Sequence, residues 1–351
     1  MDVNKLLREN IKNLKPYSSA RSEFRGEAAV FLDANENPYN SPYNRYPDPL
    51  QMKLKKEIGQ LKGFYPENIF LGNGSDEAID LILRAFCTPG KDEMISLEPS
   101  YGMYKVLADI NEIKVRSINL NKDFSLPVNN ILKNVTKKLK VIFICSPNNP
   151  TSNCFDHKNI EDIITNFDGI VVIDEAYIDF APDKSLLHKV NDYSNLIVLH
   201  TFSKAWGMAG IRLGMAFSSP EIIEVLNKIK YPYNVNTLTS NFAMERIKKA
   251  DEKDNWVKTI LKDREELRAA LMTLEIVEKI YPSDANFLLV KMTNAKEIYD
   301  YLVEKKIIVR DRSNIALCEG SLRITVGKKS ENILLVSALR DYYNHYLNSL
   351  T

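Results

Sequence analysis

The hydrophobic positions in the middle of the chain form short continuous runs, most of them followed by a segment with helical spacing of apolar residues. Such runs predict β-strands, and their lack of alternation is typical of strands covered by helices on both faces. The regular change from strand to helix predicts βαβ units. We therefore predict an α/β fold with a mostly parallel seven-stranded sheet and helices on both faces, with strands at residues 69–71, 94–97, 113–115, 141–145, 170–173, 196–199 and 214–217.

The pattern changes after about residue 235. Residues 242–274 have the apolar spacing of one long, charged helix with few helix breakers. Short apolar runs then predict strands at residues 287–290, 307–309 and 322–326, and a closing helix at residues 333–347. We therefore expect a large α/β domain over residues 38–240 and a smaller α+β domain, formed by residues 241–351 together with an N-terminal arm, residues 1–37.

Composition excludes several classes of protein. The 351 residues include 47 Lys and Arg against 46 Asp and Glu, and this balance gives no electrostatic basis for binding nucleic acid or a membrane surface. No apolar run approaches the ~20 residues of a membrane helix, and the polar N-terminus lacks a signal-peptide core. The four cysteines are widely spaced, which is typical of reduced thiols in a cytoplasmic protein. The histidines lack metal-ligand spacing, so we expect no metal site.

Lys204 has the most informative surroundings in the chain. It lies in residues 201–214, directly after a predicted strand, between Ser203 and a group of small residues, and Arg212 follows. A lysine in a tight, half-apolar turn is desolvated, which lowers its pKa and makes the amine a nucleophile. Its natural product is a Schiff base with an aldehyde, and Ser203 and Arg212 suit a phosphate. Pyridoxal 5'-phosphate carries both groups; the alternative is an ordinary lysine in a strand–helix loop.

Further polar residues follow other predicted strands, where ligands of open α/β sheets bind. The glycine-rich turn at residues 72–77 allows close backbone approach, and the helix after it offers free N–H groups to an anion. The loop at residues 146–151 carries Asn149, whose amide could meet a ring hydroxyl. A plain helix cap and an ordinary turn are the respective alternatives.

Asp174 and Tyr177 follow the strand at residues 170–173. An aspartate at the end of a buried strand needs a cationic partner, and a pyridinium nitrogen would supply one. Tyr177 could donate a hydrogen bond to a ring hydroxyl. Tyr101, after an earlier strand, could stack on the same ring. Taken singly, Asp174 could instead cap the next helix, and Tyr101 could serve packing.

The order and spacing of these residues resemble the fold-type I aminotransferases that depend on pyridoxal phosphate, over almost the whole length. The pattern Thr-x-Ser-Lys-x-x-x-x-Ala-Gly-x-Arg-x-Gly at residues 201–214 carries the resemblance. Within that group the chain most resembles the histidinol-phosphate aminotransferase family. The segments that agree are residues 15–21, 32–38, 45–49, 72–77 and 322–327.

The resemblance implies pyridoxal 5'-phosphate as the cofactor and the corresponding fold. Lys204 would form the Schiff base and move the proton, and Asp174 would pair with the pyridine nitrogen. Asn149 and Tyr177 would bind the ring hydroxyl, with Lys204, Asp174 and Tyr177 as the catalytic residues and Tyr101 stacked on the ring. The cofactor phosphate would be held by backbone at Ser75 and Asp76, by Ser203 and Arg212, and by Tyr46 of a neighbouring subunit. A homodimer with shared active sites is therefore implied.

The same resemblance implies the substrates histidinol phosphate and 2-oxoglutarate, with glutamate as a product. Arg323 would bind the carboxylate of glutamate and, with Tyr17 and Arg310, the phosphate of histidinol phosphate; Asn149 would also contact the substrate. Arg312 competes with Arg310 for this role. Two rivals within the family remain open, namely an aromatic or broad-specificity amino-acid aminotransferase and a phosphothreonine decarboxylase.

Two residues depart from the family pattern. Ser152 replaces a glycine, which suggests either a backbone without positive φ or one that tolerates mild strain. His200 replaces a frequent arginine, and we predict a structural role for it. We also expect residues 18–22 to be mobile until substrate binds, because their side chains are small and polar. A regulator that binds DNA would need an added basic domain, for which the chain has no room.

Overall fold

The computed structural model describes residues 2–18 and 30–350, with side chains described up to residue 344. The predicted mobile segment therefore lies outside the described residues except for Ser18. A seven-stranded sheet dominates the fold, in the order β1-β7-β6-β5-β4-β2-β3. Its strands are β1 Ile69–Asn73, β2 Glu93–Glu98, β3 Lys114–Asn119, β4 Leu139–Cys145, β5 Ile170–Asp174, β6 Leu196–Thr201 and β7 Leu213–Phe217.

The sheet is parallel except at β7, which runs antiparallel to both β1 and β6. This confirms the predicted mostly parallel, seven-stranded sheet. A second, antiparallel sheet has the order β10-β11-β9-β8. Its strands are β8 Val277–Ile280, β9 Phe287–Met292, β10 Arg310–Asp311 and β11 Ser321–Thr325.

Helices cover both faces of the large sheet and one face of the small one. They are α1 Glu9–Lys12, α2 Met52–Lys62, α3 Ser75–Phe86, α4 Met103–Ile110, α5 Val128–Lys133, α6 His157–Thr165, α7 Pro220–Ile229, α8 Thr237–Ile247, α9 Ala250–Leu271, α10 Ala295–Glu304 and α11 Lys329–Leu350. Among the described residues, no helix is both long enough and apolar enough to cross a bilayer.

The two faces of the large sheet carry separate cores because successive side chains of a strand point in opposite directions. On β4, Ile142 and Ile144 join the core beneath α2, α5, α6 and α8. Val141 and Phe143 join the opposite core, beneath α3, α4 and α7. Both faces are therefore buried, which explains the continuous apolar runs and confirms helices on both sides.

The N-terminal residues pack against the helices on one face of the large sheet. Val3, Leu7 and Ile11 are buried in the same core as α3 and α7. The Lys228 ammonium donates to the carbonyl of Ile11 at 2.8 Å. Residues 3–12 therefore contact the large domain, and the predicted division into domains stays a prediction.

The single long helix predicted at residues 242–274 is wrong, because α8 ends at Ile247 and α9 begins at Ala250. The Arg246 guanidinium donates a hydrogen bond to the Glu252 carboxylate at 2.9 Å and lies 5.2 Å from the ring centre of Trp256. In a straight helix residues 246 and 256 would be about 15 Å apart along the axis. These contacts therefore accompany a bend that the local pattern did not reveal.

The strand predicted at residues 307–309 is also wrong. Pairing starts one residue later, where Arg310 and Asp311 face Arg323 and Leu322 of β11. Ile307 and Val309 instead pack against the small-domain core from an irregular segment. Hydrophobicity at these positions thus reports burial rather than strand pairing. The pattern does not predict strand β8, because its four residues, Val-Glu-Lys-Ile, place two adjacent charges between two apolar residues and show neither alternation nor an apolar run.

Candidate active site

A cavity of about 200 Å³ opens at the carboxyl ends of the parallel strands. Nine of the residues selected from the sequence line it: Ser75, Asp76, Tyr101, Asn149, Asp174, Tyr177, Ser203, Lys204 and Arg212. They come from separate loops that meet only because strands β1, β4, β5 and β6 end at one edge of the sheet. The cavity is therefore the candidate active site.

Lys204 lies in the turn after β6, where its carbonyl accepts a hydrogen bond from the Gly207 amide at 3.0 Å. Its ammonium nitrogen lies 5.3 Å from the ring centre of Tyr177. Lys204 is exposed to solvent through the cavity that it lines. The protein around the amine still removes part of its water, and this desolvation, followed by the nearby Arg323 guanidinium, lowers the pKa of the Lys204 amine. A neutral, nucleophilic amine is thus easier to reach here than on a lysine surrounded by water alone.

Asp174 ends β5 and is only 3% exposed. The Tyr104 hydroxyl donates to its Oδ2 at 2.7 Å, and the Ala176 amide donates to its Oδ1 at 3.0 Å. Among the described residues, no basic side chain forms an ion pair with this carboxylate. Burial raises the pKa of Asp174, and the two hydrogen bonds oppose that shift. A buried carboxylate held this way suits a cationic ligand group in the cavity.

Asn149 and Tyr177 stand on one side of the cavity, with the amide nitrogen 3.4 Å from the phenol oxygen. Burial is the main cause that raises the pKa of Tyr177, so the phenol stays protonated and can donate a hydrogen bond. The Asn149 carbonyl oxygen accepts a hydrogen bond from Arg323. Arg323 lies on β11, so this contact joins the two sheets at the cavity.

The opposite end of the cavity forms an anion cradle at the start of α3. Gly74 precedes the helix with φ 81°, and no side chain caps the first turn. The Arg212 guanidinium sits over this turn, 3.7 Å from Asp76 Oδ2. Glycine is favoured at position 74 because other residues rarely adopt this φ; an added Cβ would also lie 2.6 Å from an Arg212 nitrogen, which could move away. Free helix N–H groups beside a guanidinium fit a phosphate.

Tyr101 and Tyr104 line up one helical turn apart at the start of α4. The Tyr101 hydroxyl donates to Asp76 at 3.1 Å, and its ring meets Tyr104 edge-on at 5.5 Å. Burial, followed by the charge of Asp76, raises the pKa of Tyr101. Tyr101 thus lines the cavity as predicted, whereas the sequence reasoning did not select Tyr104.

Three arginines lie close together at the edge of the small sheet, and one of them, Arg323, contacts Asn149 of the cavity. Arg310 faces Arg323 across β10 and β11, and Arg312 follows Arg310 by two residues. Burial, with Arg323 and Arg310 as like charges, lowers the pKa of Arg312 to about 10. The buried Arg312 Nε has no hydrogen-bond partner within the part of the chain that the structure describes. Among the described residues, no carboxylate forms an ion pair with any of the three, so this cluster suits a ligand anion.

Four predicted site residues do not line this cavity in their own chain. Tyr46 stacks on Tyr233 with 4.5 Å between ring centres and lines a separate cavity of about 440 Å³. Tyr17 is 71% exposed and lines another groove, beside Lys230. Arg310 is exposed, and Arg323 meets the cavity through its hydrogen bond to Asn149.

The two departures from the family pattern have clear structural settings. Ser152 has φ 65°, so the suggestion of a backbone without positive φ is wrong and the mildly strained backbone is present. Its hydroxyl donates to the Thr151 carbonyl at 2.6 Å, which helps hold that conformation. His200 Nε2 lies 2.9 Å from the buried Glu175 carboxylate, a contact between two strand ends away from the cavity lining.

Cys145 and Thr201 also line the cavity and were missed. Each is the last residue of a strand, so the rule that identified Asp174 would have found them. Tyr104 lies deeper, and no feature of the sequence distinguishes it from a core aromatic residue. Across the described ranges, no group of three or more His, Cys, Asp and Glu side chains could hold a metal ion.

The chain matches a known family model and known relatives over nearly its full length. The model described as aminotransferase class I and II matches residues 25–339. A histidinol-phosphate aminotransferase from Parabacteroides distasonis is 54% identical, covering 97% of this chain and 99% of that protein. One from Cytophaga hutchinsonii is 53% identical, with the same two coverages.

Solved structures agree on the fold. A histidinol-phosphate aminotransferase from Sinorhizobium meliloti, in complex with pyridoxal-5'-phosphate, has a TM-score of 0.80 at 23% identity, covering 86% of this chain and 83% of that one. An L-threonine-O-3-phosphate decarboxylase from Porphyromonas gingivalis has a TM-score of 0.72 at 21% identity, with 86% and 91% covered. At these identities the likeness concerns the fold alone, and it extends to enzymes of different specificity.

Proposed function

The chain belongs to the class I and II aminotransferase family and, within it, to the histidinol-phosphate aminotransferases, and on that premise we propose that it transfers the amino group of L-histidinol phosphate to 2-oxoglutarate. The products are imidazole acetol phosphate and L-glutamate, and the reaction serves histidine biosynthesis. The proposal includes pyridoxal 5'-phosphate as cofactor, a homodimer, and the cytoplasm as location. The free cysteines are consistent with a reducing compartment.

The cavity residues fit pyridoxal phosphate on two independent grounds. Asp174 is a buried carboxylate that forms no ion pair with any basic side chain of the described residues, and a pyridinium nitrogen would supply a partner charge. The uncapped start of α3, with Arg212 beside it, suits the phosphate. Ser75, Asp76 and Ser203 complete this end. When bound, the cofactor supplies an aldehyde for the amino group and a ring that withdraws electrons from the substrate Cα.

The remaining chemistry falls to the protein side chains. Lys204 Nζ would hold the cofactor between turnovers. Its freed amine would then take the Cα proton of the substrate and deliver a proton to C4' of the cofactor, the carbon that receives the amino group. Its lowered pKa favours the neutral amine that this proton transfer requires. Asn149 and Tyr177 orient the ring through its hydroxyl, and Tyr101 covers one ring face.

The observation that carries the substrate assignment is the cluster of Arg310, Arg312 and Arg323. Like charges on facing β-strand positions destabilise a sheet unless an anion separates them. A phosphate dianion matches several guanidinium groups, whereas a neutral aromatic side chain would leave them unpaired. Arg323 then binds phosphate in one half-reaction and a carboxylate of glutamate in the other, since a planar guanidinium suits both. Tyr17 would join the phosphate site.

The homodimer is supported by the surface around Tyr46. Large apolar and aromatic side chains are exposed together between residues 30 and 52, including Leu32, Tyr39, Tyr43 and Tyr46. Such a concentration is typical of a protein interface. Because Tyr46 lies outside the cavity of its own chain, we propose that it reaches the cofactor phosphate of the partner.

The test is an absorbance titration of the purified holoenzyme, without 2-oxoglutarate, by L-histidinol phosphate, phenylalanine and phosphothreonine in turn. We expect histidinol phosphate at low concentration to convert the bound cofactor to pyridoxamine phosphate, with a weak response to the other two. A stronger response to phenylalanine would move the assignment to an aromatic or broad-specificity aminotransferase. Release of carbon dioxide from phosphothreonine would favour the decarboxylase. A protein that binds no pyridoxal phosphate would refute the proposal as a whole.

A further inference from the structure

Tyr104 is buried behind the cavity lining and held there by packing and by one hydrogen bond. It is 0% exposed, and its ring stacks on Phe143 with 4.8 Å between centres and 17° between planes. A buried phenol hydroxyl needs a hydrogen-bond partner, and Asp174 Oδ2 at 2.7 Å is that partner. The packing of the ring therefore determines where the hydroxyl meets the carboxylate.

The two oxygens of Asp174 are held by different means. Oδ1 accepts from the Ala176 amide, which the backbone alone provides, and Oδ2 accepts from Tyr104. Both donors stabilise the charged carboxylate, because a hydrogen bond donated to an anion favours ionisation. Desolvation acts in the opposite direction and is the larger effect on the pKa of Asp174. The Tyr104 hydroxyl is thus the largest of the effects that offset burial; the Ala176 amide and the charge of Lys204 act in the same direction, and the charge of Asp76 opposes them.

We propose that Tyr104 is a positioning residue that keeps Asp174 ionised and aimed into the cavity, so that the bound cofactor retains a protonated pyridine nitrogen. The inference rests on the proposed function, since it requires that cofactor. Without the hydroxyl, Asp174 becomes the more basic partner, and the proton that it shares with the ring nitrogen moves toward the carboxylate. A neutral ring nitrogen withdraws electrons less well.

The test is Tyr104→Phe, which keeps the stacked ring and removes only the hydroxyl. Holoenzyme is loaded with ¹⁵N-labelled pyridoxal phosphate, and the chemical shift of the ring nitrogen is followed against pH by solid-state NMR. We expect the variant nitrogen to lose its proton at lower pH than the wild type. We also expect kcat to fall by about tenfold to a hundredfold, as for loss of a hydrogen bond to a charged group. KM for histidinol phosphate should change far less.

Tyr193→Phe is the matched control. It removes a hydroxyl that donates to Glu161 at 2.9 Å, away from the cavity, and should change neither the nitrogen signal nor the rate. Of these two variants, only Tyr104→Phe should move the nitrogen signal.

An identical nitrogen titration in Tyr104→Phe and wild type would overturn the inference. If Tyr104→Phe does not fold, 3-fluorotyrosine at position 104 replaces it. The hydroxyl of 3-fluorotyrosine donates a stronger hydrogen bond to Asp174, so the ring nitrogen should stay protonated to higher pH. An unchanged titration there would equally overturn the role of Tyr104. Wild-type protein without any signal from bound cofactor would instead overturn the proposed function, so the two failures are distinguishable.

Discussion

Replacing Gly214 with alanine should damage both stability and cofactor binding. A Cβ at position 214 would lie 2.1 Å from the Ser75 backbone nitrogen and 2.4 Å from the Gly74 carbonyl carbon. Non-bonded heavy atoms rest about 3.5 Å apart, so the start of α3 must move by more than about 1 Å. Backbone atoms cannot rotate away as side chains do. We therefore expect a cost near the upper end of overpacking, about 3 kcal/mol.

That cost converts into a measurable change in melting temperature. With an unfolding entropy of about 2 cal/mol/K per residue, 3 kcal/mol over 351 residues lowers Tm by about 4 °C. The displaced N–H groups also belong to the proposed phosphate cradle, so cofactor Kd should rise by about tenfold or more. Calorimetry of the apoprotein and a cofactor titration measure the two effects separately.

Gly210→Ala is the matched control for this experiment. Its added Cβ would meet nothing within 4 Å, and its φ is not in the left-handed region, although it lies in the same loop. We expect its Tm and cofactor affinity to stay near the wild-type values, or Tm to rise slightly as chain entropy falls. Equal Tm values for the two alanine variants would refute the argument from close approach.

Three further changes test the charged groups. Lys204→Ala should abolish turnover without loss of stability, because the removed amine is already partly desolvated; steady-state glutamate formation by this variant would contradict its role. Asp174→Asn should lower kcat at least about a hundredfold while the apoprotein melts no earlier, since a buried charge without a cation is removed; near-normal turnover would contradict the predicted ring contact. Asp179 lies 3.6 Å from Lys62 and 3.7 Å from Lys253, and these charges hold its pKa below the ordinary value against the effect of burial. A carboxyl whose pKa is depressed in the folded state stabilises the fold at pH values above its unfolded pKa of about 4, and that contribution disappears as pH falls further. The difference in unfolding free energy between wild type and Asp179→Asn should therefore shrink below about pH 4. A difference that stays constant with pH would contradict the ion-pair explanation.

The sequence was sufficient to predict the large sheet and the loops that converge at its edge. Continuous apolar runs identify strands buried on both faces, and a parallel sheet brings their carboxyl ends together. Lys204, Asp174 and Asn149 follow such runs directly, so their proximity follows from the strand pattern. The break between α8 and α9 could not be predicted this way, because contacts such as Arg246 with Trp256 span ten residues and arise only in the folded chain.

Tyr104 illustrates a second limit of sequence reasoning. Nothing in its neighbourhood distinguishes it from a core aromatic, since its ring packs on Phe143 as any core residue would. Its significance depends on one hydroxyl meeting Asp174, 70 positions later, at a place set by how α4 lies on the sheet. Periodicity predicts which face of a helix is buried, but it does not predict what a buried polar atom will meet.

The placement of Arg323 suggests why substrate binding and the relation of the two sheets are linked. Arg323 belongs to the small sheet, yet it donates to Asn149 in a loop of the large sheet. The Asp284 backbone amide also donates to Ser152 at 2.7 Å, and the Cys154 amide donates to the Asp284 carboxylate at 2.8 Å. An anion that draws Arg323 away from Asn149 would remove one of these links while the two at Asp284 persist. A substrate phosphate bound by the arginine cluster would thus free the Asn149 carbonyl oxygen. Because the Asn149 amide also contacts Tyr177 at the ring-binding side, this change would alter the hydrogen bonds available to the cofactor. Recognition of the distant phosphate is thereby coupled, through one amide side chain, to the groups that orient the reacting ring.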